Sequence, residues 1–276
     1  MRPEIIAACE AVHRASKILL SHYDKIGNVR NKRTGIDQHL TGNSLRASEY
    51  DPVTIADEEA DTCLREYLTK AYPSYGWLSE ETVDSPDRLE KKLIWIVDPI
   101  DGTKEFIDQI GEFVISVALV EDSVPIMAVI YNPVTEELFR AVRNGGCFLN
   151  NKRVFCTEPM RLGQAKVMVS RSESARGEVE PLQMHVAKLI PVGSIAYKLA
   201  LVAAGAADLT TSLQPKNEWD VCAGELLIRE AGGEMLDLNG QERHYNQPNT
   251  RIEPGLVAGN KDLTSQALNL ISKIRE

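Results

Sequence analysis

Two aspartates three residues apart close the run Trp95-Ile-Val-Asp98-Pro99-Ile100-Asp101-Gly102-Thr103. The apolar, β-branched stretch over 93–97 reads as a strand buried on both faces, and such a strand delivers both carboxylates at its end. Pro99 fixes φ between them, so the Ile100 carbonyl takes a defined direction. Two hard carboxylate oxygens and a carbonyl oxygen suit Mg²⁺. Gly102 and Thr103, where they open a helix, offer free N–H groups to a phosphate. Taken alone, Asp-x-x-Asp reads equally well as a turn with an Asp cap.

Three further segments keep the motif company. Glu80 and Glu81 lie in Trp77-Leu-Ser-Glu-Glu-Thr82, Asp57 closes Asp51-Pro-Val-Thr-Ile-Ala-Asp57, and Trp219-Asp220 leads into the small-residue run Val221-Cys-Ala-Gly224. Each has a plainer reading: a solvated face for the glutamates, a helix cap for Asp57 and for Asp220. Should Glu80, Asp98, Asp101 and Asp220 meet, their four negative charges would be intolerable without cations. About two divalent ions would balance them, lower the pKa of a bound water and stabilise a leaving alkoxide.

The elements that must position these groups follow from periodicity. Helical spacing of apolar residues runs over Pro3–Tyr23 and again from Asp57 to Ala71, where Pro73 stops it. Residues 24–50 are polar, with few large apolar side chains, and read as a long hairpin or mobile loop. Strands are expected at 113–120 and 124–131, then a hairpin of 137–142 and 147–154 about Asn144-Gly-Gly146. A strand at 166–170 opens a second half with a helix at 194–206, a strand at 208–213, a helix at 220–231, strands near 234–238 and 256–259, and a last helix from Lys261. Helix pairs mixed with antiparallel hairpins favour layered α+β over a Rossmann sheet. The expected division is 1–160, an α+β half with most metal ligands, and 161–276, an α/β half with Asp220 and the specificity residues.

Composition narrows the class. The 276 residues carry a net charge of −9 and 43% hydrophobic residues, a globular balance. Without a long basic run, the chain is not expected to bind a nucleic-acid polymer or an anionic membrane. The five cysteines are odd in number and lack a Cys-x-x-Cys pair, which suggests reduced thiols and a cytoplasmic protein. The five histidines show no zinc-site spacing.

In their residues and their order, the four segments resemble the lithium-sensitive, magnesium-dependent phosphomonoesterase superfamily, which includes inositol monophosphatases, fructose-1,6-bisphosphatases and 3'(2'),5'-bisphosphate nucleotidases. The resemblance implies a layered α-β-α-β-α sandwich with the active site between its halves, and about two or three Mg²⁺ ions per site. It also implies lithium inhibition. Carried over by position, Glu80, Asp98, the Ile100 carbonyl, Asp101 and Asp220 match metal ligands. Asp57 and Thr103 match the pair that orients and deprotonates the attacking water, and Glu81 matches an acid behind the ligands. The Gly102 and Thr103 amides match a phosphate cradle, to which Asp101 and Asp220 also turn. The 24–50 segment falls where the family has a mobile hairpin over the site.

Three features resemble the nucleotidase branch: Lys104-Glu-Phe106 after Asp-Gly-Thr, Glu218 before Trp-Asp, and Gly193-Ser194 with Lys198, which fall near the second phosphate of a nucleotide. Ser194 and Lys198 are therefore expected to bind substrate, although a helical Lys is as readily a snorkelling surface group. Arg171 and Arg176 suit a phosphate by their guanidinium groups but read equally as loop solvation. The expected activity is hydrolysis of the 3'-phosphate of adenosine 3',5'-bisphosphate by a monomer or homodimer. An inositol monophosphatase is the nearest alternative, and a non-catalytic, metal-dependent nucleotide-binding module the alternative of another class.

Overall fold

The computed structural model describes residues 2–23, 29–31, 37–38, 52–158 and 161–275. Most of the 24–50 segment, and with it the expected lid over the site, lies outside the described residues. Within it, Val29–Asn31 pairs antiparallel with Asp37–Gln38 and with Pro52–Thr54.

Five layers stack in the order helix, sheet, helix, sheet, helix. The outer pair, α1 (Pro3–Tyr23) and α2 (Ile55–Ala71), covers one face of a seven-stranded sheet whose longest strands, Leu93–Asp101, Val114–Glu121 and Val124–Asn132, are adjacent in it. After the short helices α3 (Thr103–Ile107) and α4 (Arg171–Ala175), α5 (Ile195–Ala203) and α6 (Glu218–Glu230) form the middle layer. A five-stranded sheet follows, ordered 188–192, 166–170, 209–212, 256–259, 234–237, and α7 (Lys261–Arg275) packs on its far side. This is the expected layered sandwich.

Side-chain alternation builds the layers. Trp95 and Val97 enter the core beneath α1 and α2, while Ile94 and Ile96 enter the core around α5 and α6. In the second sheet Val167 and Val169 face α7, whereas Met168 faces the middle layer. Lying between two sheets, α6 is buried all round, with Val221, Cys222, Ala223, Leu226, Leu227 and Ile228 inaccessible.

Several boundaries differ from those expected, for local reasons. The strand expected to end at Val97 runs to Asp101, because a bulge absorbs the extra residue. The expected 147–154 strand is two, Gly146–Leu149 and Lys152–Val154, turning at Asn150, whose φ of 53° is left-handed. α2 starts at Ile55 and α6 at Glu218, so Asp57 and Asp220 lie inside their helices rather than before them.

Candidate active site

The bulge does the first piece of positioning. Asp98 pairs with Ser116 and Asp101 with Val114, so three steps on one strand answer two on its neighbour. Residues three apart on a regular strand face opposite ways; the extra residue turns Asp101 to the same face as Ile94, Ile96 and Asp98, and leaves Ile100 in the core under α1 and α2. Glu80 arrives from the adjacent parallel strand Gly76–Ser79. Asp220 arrives from the first turn of α6, where a capping box holds it: its Oδ2 accepts the Asn217 amide at 2.7 Å.

One carboxylate oxygen from each of Glu80, Asp98 and Asp220 lies within 4.8 Å of the others. Burial above all, and then repulsion from Glu80, Asp101, Asp220 and Asp57, hold the Asp98 carboxyl well above the usual carboxylate range. Asp220 is raised in the same way by burial and by Asp101 and Glu80. Asp98 Oδ1 is buried and accepts no hydrogen bond from the protein. Hard oxygens, mutual repulsion and an orphaned acceptor are what a site for a small divalent cation such as Mg²⁺ requires, and the residues present fit it. Asp101 borders this triad with Oδ2 committed to Ser194 Oγ at 2.6 Å and the Ala196 amide at 2.5 Å.

Thr103 stands beside the cluster. Its hydroxyl lies 3.3 Å from Asp57 Oδ2 and 3.1 Å from the Ile100 carbonyl, two acceptors for a single proton. Asp57 is only 2% exposed. Gly102 caps α3 at φ 103°, and a Cβ there would meet the Glu112 carbonyl at 3.0 Å and Phe113 Cα at 3.2 Å, so the turn admits only glycine. Glu81 is half-buried and is not among the residues lining the cleft.

The triad, Asp101, Gly102 and Thr103 line a 460 Å³ cleft together with Ser172, Arg176, Gln214 and Lys216, and the charge of Lys216 acts on both Asp101 and Asp220. Ser194 and Lys198 border it too, and both also bond to the protein around them. The Ser194 hydroxyl is spent on Asp101 and on the Tyr197 amide. Lys198 is 2% exposed, and its ammonium donates to the carbonyls of Ser194 at 2.8 Å and Val192 at 3.1 Å. Its desolvation outweighs the attraction of Asp101 and pushes its pKa down to about 8. Both side chains thus brace the 192–196 turn that grips Asp101 while lining the cleft. Arg171 pairs with Glu112, and Arg176 reaches Glu178 at 2.5 Å from the cleft wall.

Lys216 and Asn217 are site-bordering residues that the motifs do not reveal. The Pro215-Lys216-Asn217 run directly before Glu-Trp-Asp is the available signal, since residues preceding a ligand-bearing helix cap border its site.

A family model described as the inositol monophosphatase family matches residues 1–276. An inositol-1-monophosphatase of Rhizobium meliloti (strain 1021) is 33% identical over 274 residues, covering 96% of this chain and 94% of that protein. A 3'(2'),5'-bisphosphate nucleotidase CysQ of Aggregatibacter actinomycetemcomitans is 32% identical over 215 residues, or 75% of this chain and 80% of that one. The crystal structure of the extragenic suppressor protein SuhB from Bartonella henselae superposes with a TM-score of 0.81 at 28% identity, covering 99% of each chain.

Proposed function

The chain belongs to the inositol monophosphatase family, and from that premise we propose that it is a Mg²⁺-dependent phosphatase acting on adenosine 3',5'-bisphosphate. The observation that carries the phosphatase reading is the convergence of Glu80, Asp98 and Asp220 within 4.8 Å, beside a hydroxyl–carboxylate pair suited to moving a proton.

Glu80, Asp98, Asp220, Asp101 and the Ile100 carbonyl would hold the metal. Mg²⁺, when bound, supplies charge for the phosphoryl oxygens and acidifies a water. Thr103 Oγ1 accepts a hydrogen bond from the attacking water and passes its own proton toward Asp57 Oδ2, where the proton rests. The Gly102 and Thr103 amides orient the phosphate for attack in line with the leaving oxygen. Ser194 and Lys198 keep Asp101 in place, and no covalent enzyme intermediate is needed.

Substrate choice rests on two basic residues of the cleft wall, Lys216 and the Glu178-paired Arg176, which would offer positive charge to a second anionic group. An inositol monophosphate is the second reading, favoured by the 33% identical relative named for it. Phosphate release from adenosine 3',5'-bisphosphate and from inositol 1-phosphate, measured side by side at equal Mg²⁺, separates the two. The nucleotide is expected to show the higher kcat/KM; a clear preference for the inositol ester defeats the choice. A purely regulatory, non-catalytic binder would not need the Thr103–Asp57 pair. The five free cysteines support a cytoplasmic setting, and among the described residues no helix is long and apolar enough to cross a membrane.

A further inference from the structure

We infer that Asp61, one turn beyond Asp57 on α2, is a positioning residue that sets Glu80 for metal binding; the inference rests on the metal reading above. Asp61 is 6% exposed on α2, the helix that covers the sheet face into which Trp95 and Val97 point. Its Oδ1 accepts the Ser79 hydroxyl at 2.5 Å and its Oδ2 the Thr82 hydroxyl at 2.6 Å, the residues on either side of the Glu80-Glu81 pair. Trp77 Nε1 donates to the Thr82 oxygen at 3.3 Å, which fixes the direction of that hydroxyl.

Alternation along the strand explains the arrangement. Leu78 enters the core around α6 and Trp77 packs on the core under α2. Ser79 accordingly turns back to α2, and Glu80 turns forward to Asp98 and Asp220. A carboxylate gripping hydroxyls at both ends of 79–82 closes that stretch into one shape. An amide could accept only one of these two hydroxyl protons, and the other hydroxyl would have to turn and accept from the amide NH2 instead. Burying the Asp61 charge is costly, and two hydroxyls compensate it less well than a cation would. What the charge secures is a fixed relation between the water-activating carboxylate of Asp57 and the ligand Glu80, both set by a single helix.

The test is calorimetric titration of Mg²⁺ into the metal-free protein, which reads binding without turnover. Asp61→Asn is expected to weaken Mg²⁺ binding about tenfold or more. KM for the phosphate ester at saturating Mg²⁺ should stay within about twofold of wild type. Ser79→Ala and Thr82→Val should each weaken Mg²⁺ binding in the same direction, and should add little on top of Asp61→Asn, as members of one network do. These milder variants decide the question if Asp61→Asn does not fold. Unchanged Mg²⁺ affinity in the folded variants, whatever happens to their thermal stability, would reduce Asp61 to ordinary packing and overturn the inference. A wild-type chain that takes up no Mg²⁺ overturns the metal reading itself, and this inference with it.

Discussion

Asp57 and Thr103 show how a single side chain can be useful only through its neighbour. The carboxylate is 2% exposed and touches the cleft through the Thr103 hydroxyl, so on the proposed reading it takes a proton it does not meet directly. Asp57→Asn keeps the size and removes the basicity. It is expected to lower kcat by about 10²–10⁴-fold, the usual worth of a general base, with little change in the Mg²⁺ needed for half-maximal rate. Steady-state kinetics over a Mg²⁺ series checks it; a variant that loses Mg²⁺ affinity and keeps kcat would make Asp57 a ligand instead.

The cluster carboxylates carry a pH signature of their own. Burial first, and then mutual repulsion, raise Asp98 and Asp220 above their ordinary range. In the metal-free native state they hold protons that the unfolded chain releases above about pH 4. The native state therefore binds more protons than the unfolded one, and stability falls as pH rises through that window. Lys198, pushed down to about 8, acts with the opposite sign, but only from that pH upward. The unfolding midpoint of metal-free protein is expected to drop between about pH 5 and about pH 8, and saturating Mg²⁺ should flatten the drop. A midpoint that rises over this interval, or that ignores Mg²⁺, contradicts the assignment.

Among the elements, α6 carries the heaviest load. Its first turn presents Asp220, and its middle must approach α5 closely enough for the sandwich to close. Gly224 makes that approach possible, since a Cβ there would fall 2.5 Å from Leu199 Cδ1 and 2.6 Å from Leu199 Cβ. Alanine would gain about 1 kcal/mol of helix propensity, but the Leu199 Cβ is fixed to its backbone and cannot yield. Overpacking of about 1–3 kcal/mol should win, so Gly224→Ala is expected to lower the denaturant midpoint; a stabilised variant would show that the two helices can part.

The same scale shows what the sequence could disclose. The helices α1 and α2 and the strand to Asp98 were legible because each is long and periodic, or wholly apolar beside a polar break. The Lys188–Val192 strand was not, because Lys188 and Pro191 spoil its pattern; Pro191 is tolerated since this strand is the sheet edge. The bulge that brings Asp98 and Asp101 to one face, and the turning of Lys198 toward main-chain carbonyls, arise from pairing and packing partners far away in the chain. The convergence of Glu80, Asp98 and Asp220 could be anticipated from their types and segments. The commitments of Ser194 and Lys198 could not, since a hydroxyl and an ammonium are equally able to serve a ligand or the backbone.

Over the whole molecule, one continuous core joins the sheets. Leu78, Ile94 and Ile96 from the first sheet share it with Met168, Leu256 and Ala258 from the second, with α5 and α6 between them. The carboxylates stand where strand ends and a helix start converge, so the charge cost of the cluster is borne by packing in both sheets. A net charge of −9 does not oppose an anionic substrate once cations sit in the cluster. The measurement that bears most directly on the account is an anomalous difference map from crystals of this chain grown with Mn²⁺ in place of Mg²⁺. Strong peaks are expected between the carboxylates of Glu80, Asp98 and Asp220; a map with no peak there, at a Mn²⁺ concentration that supports phosphate release, would overturn the metal assignment.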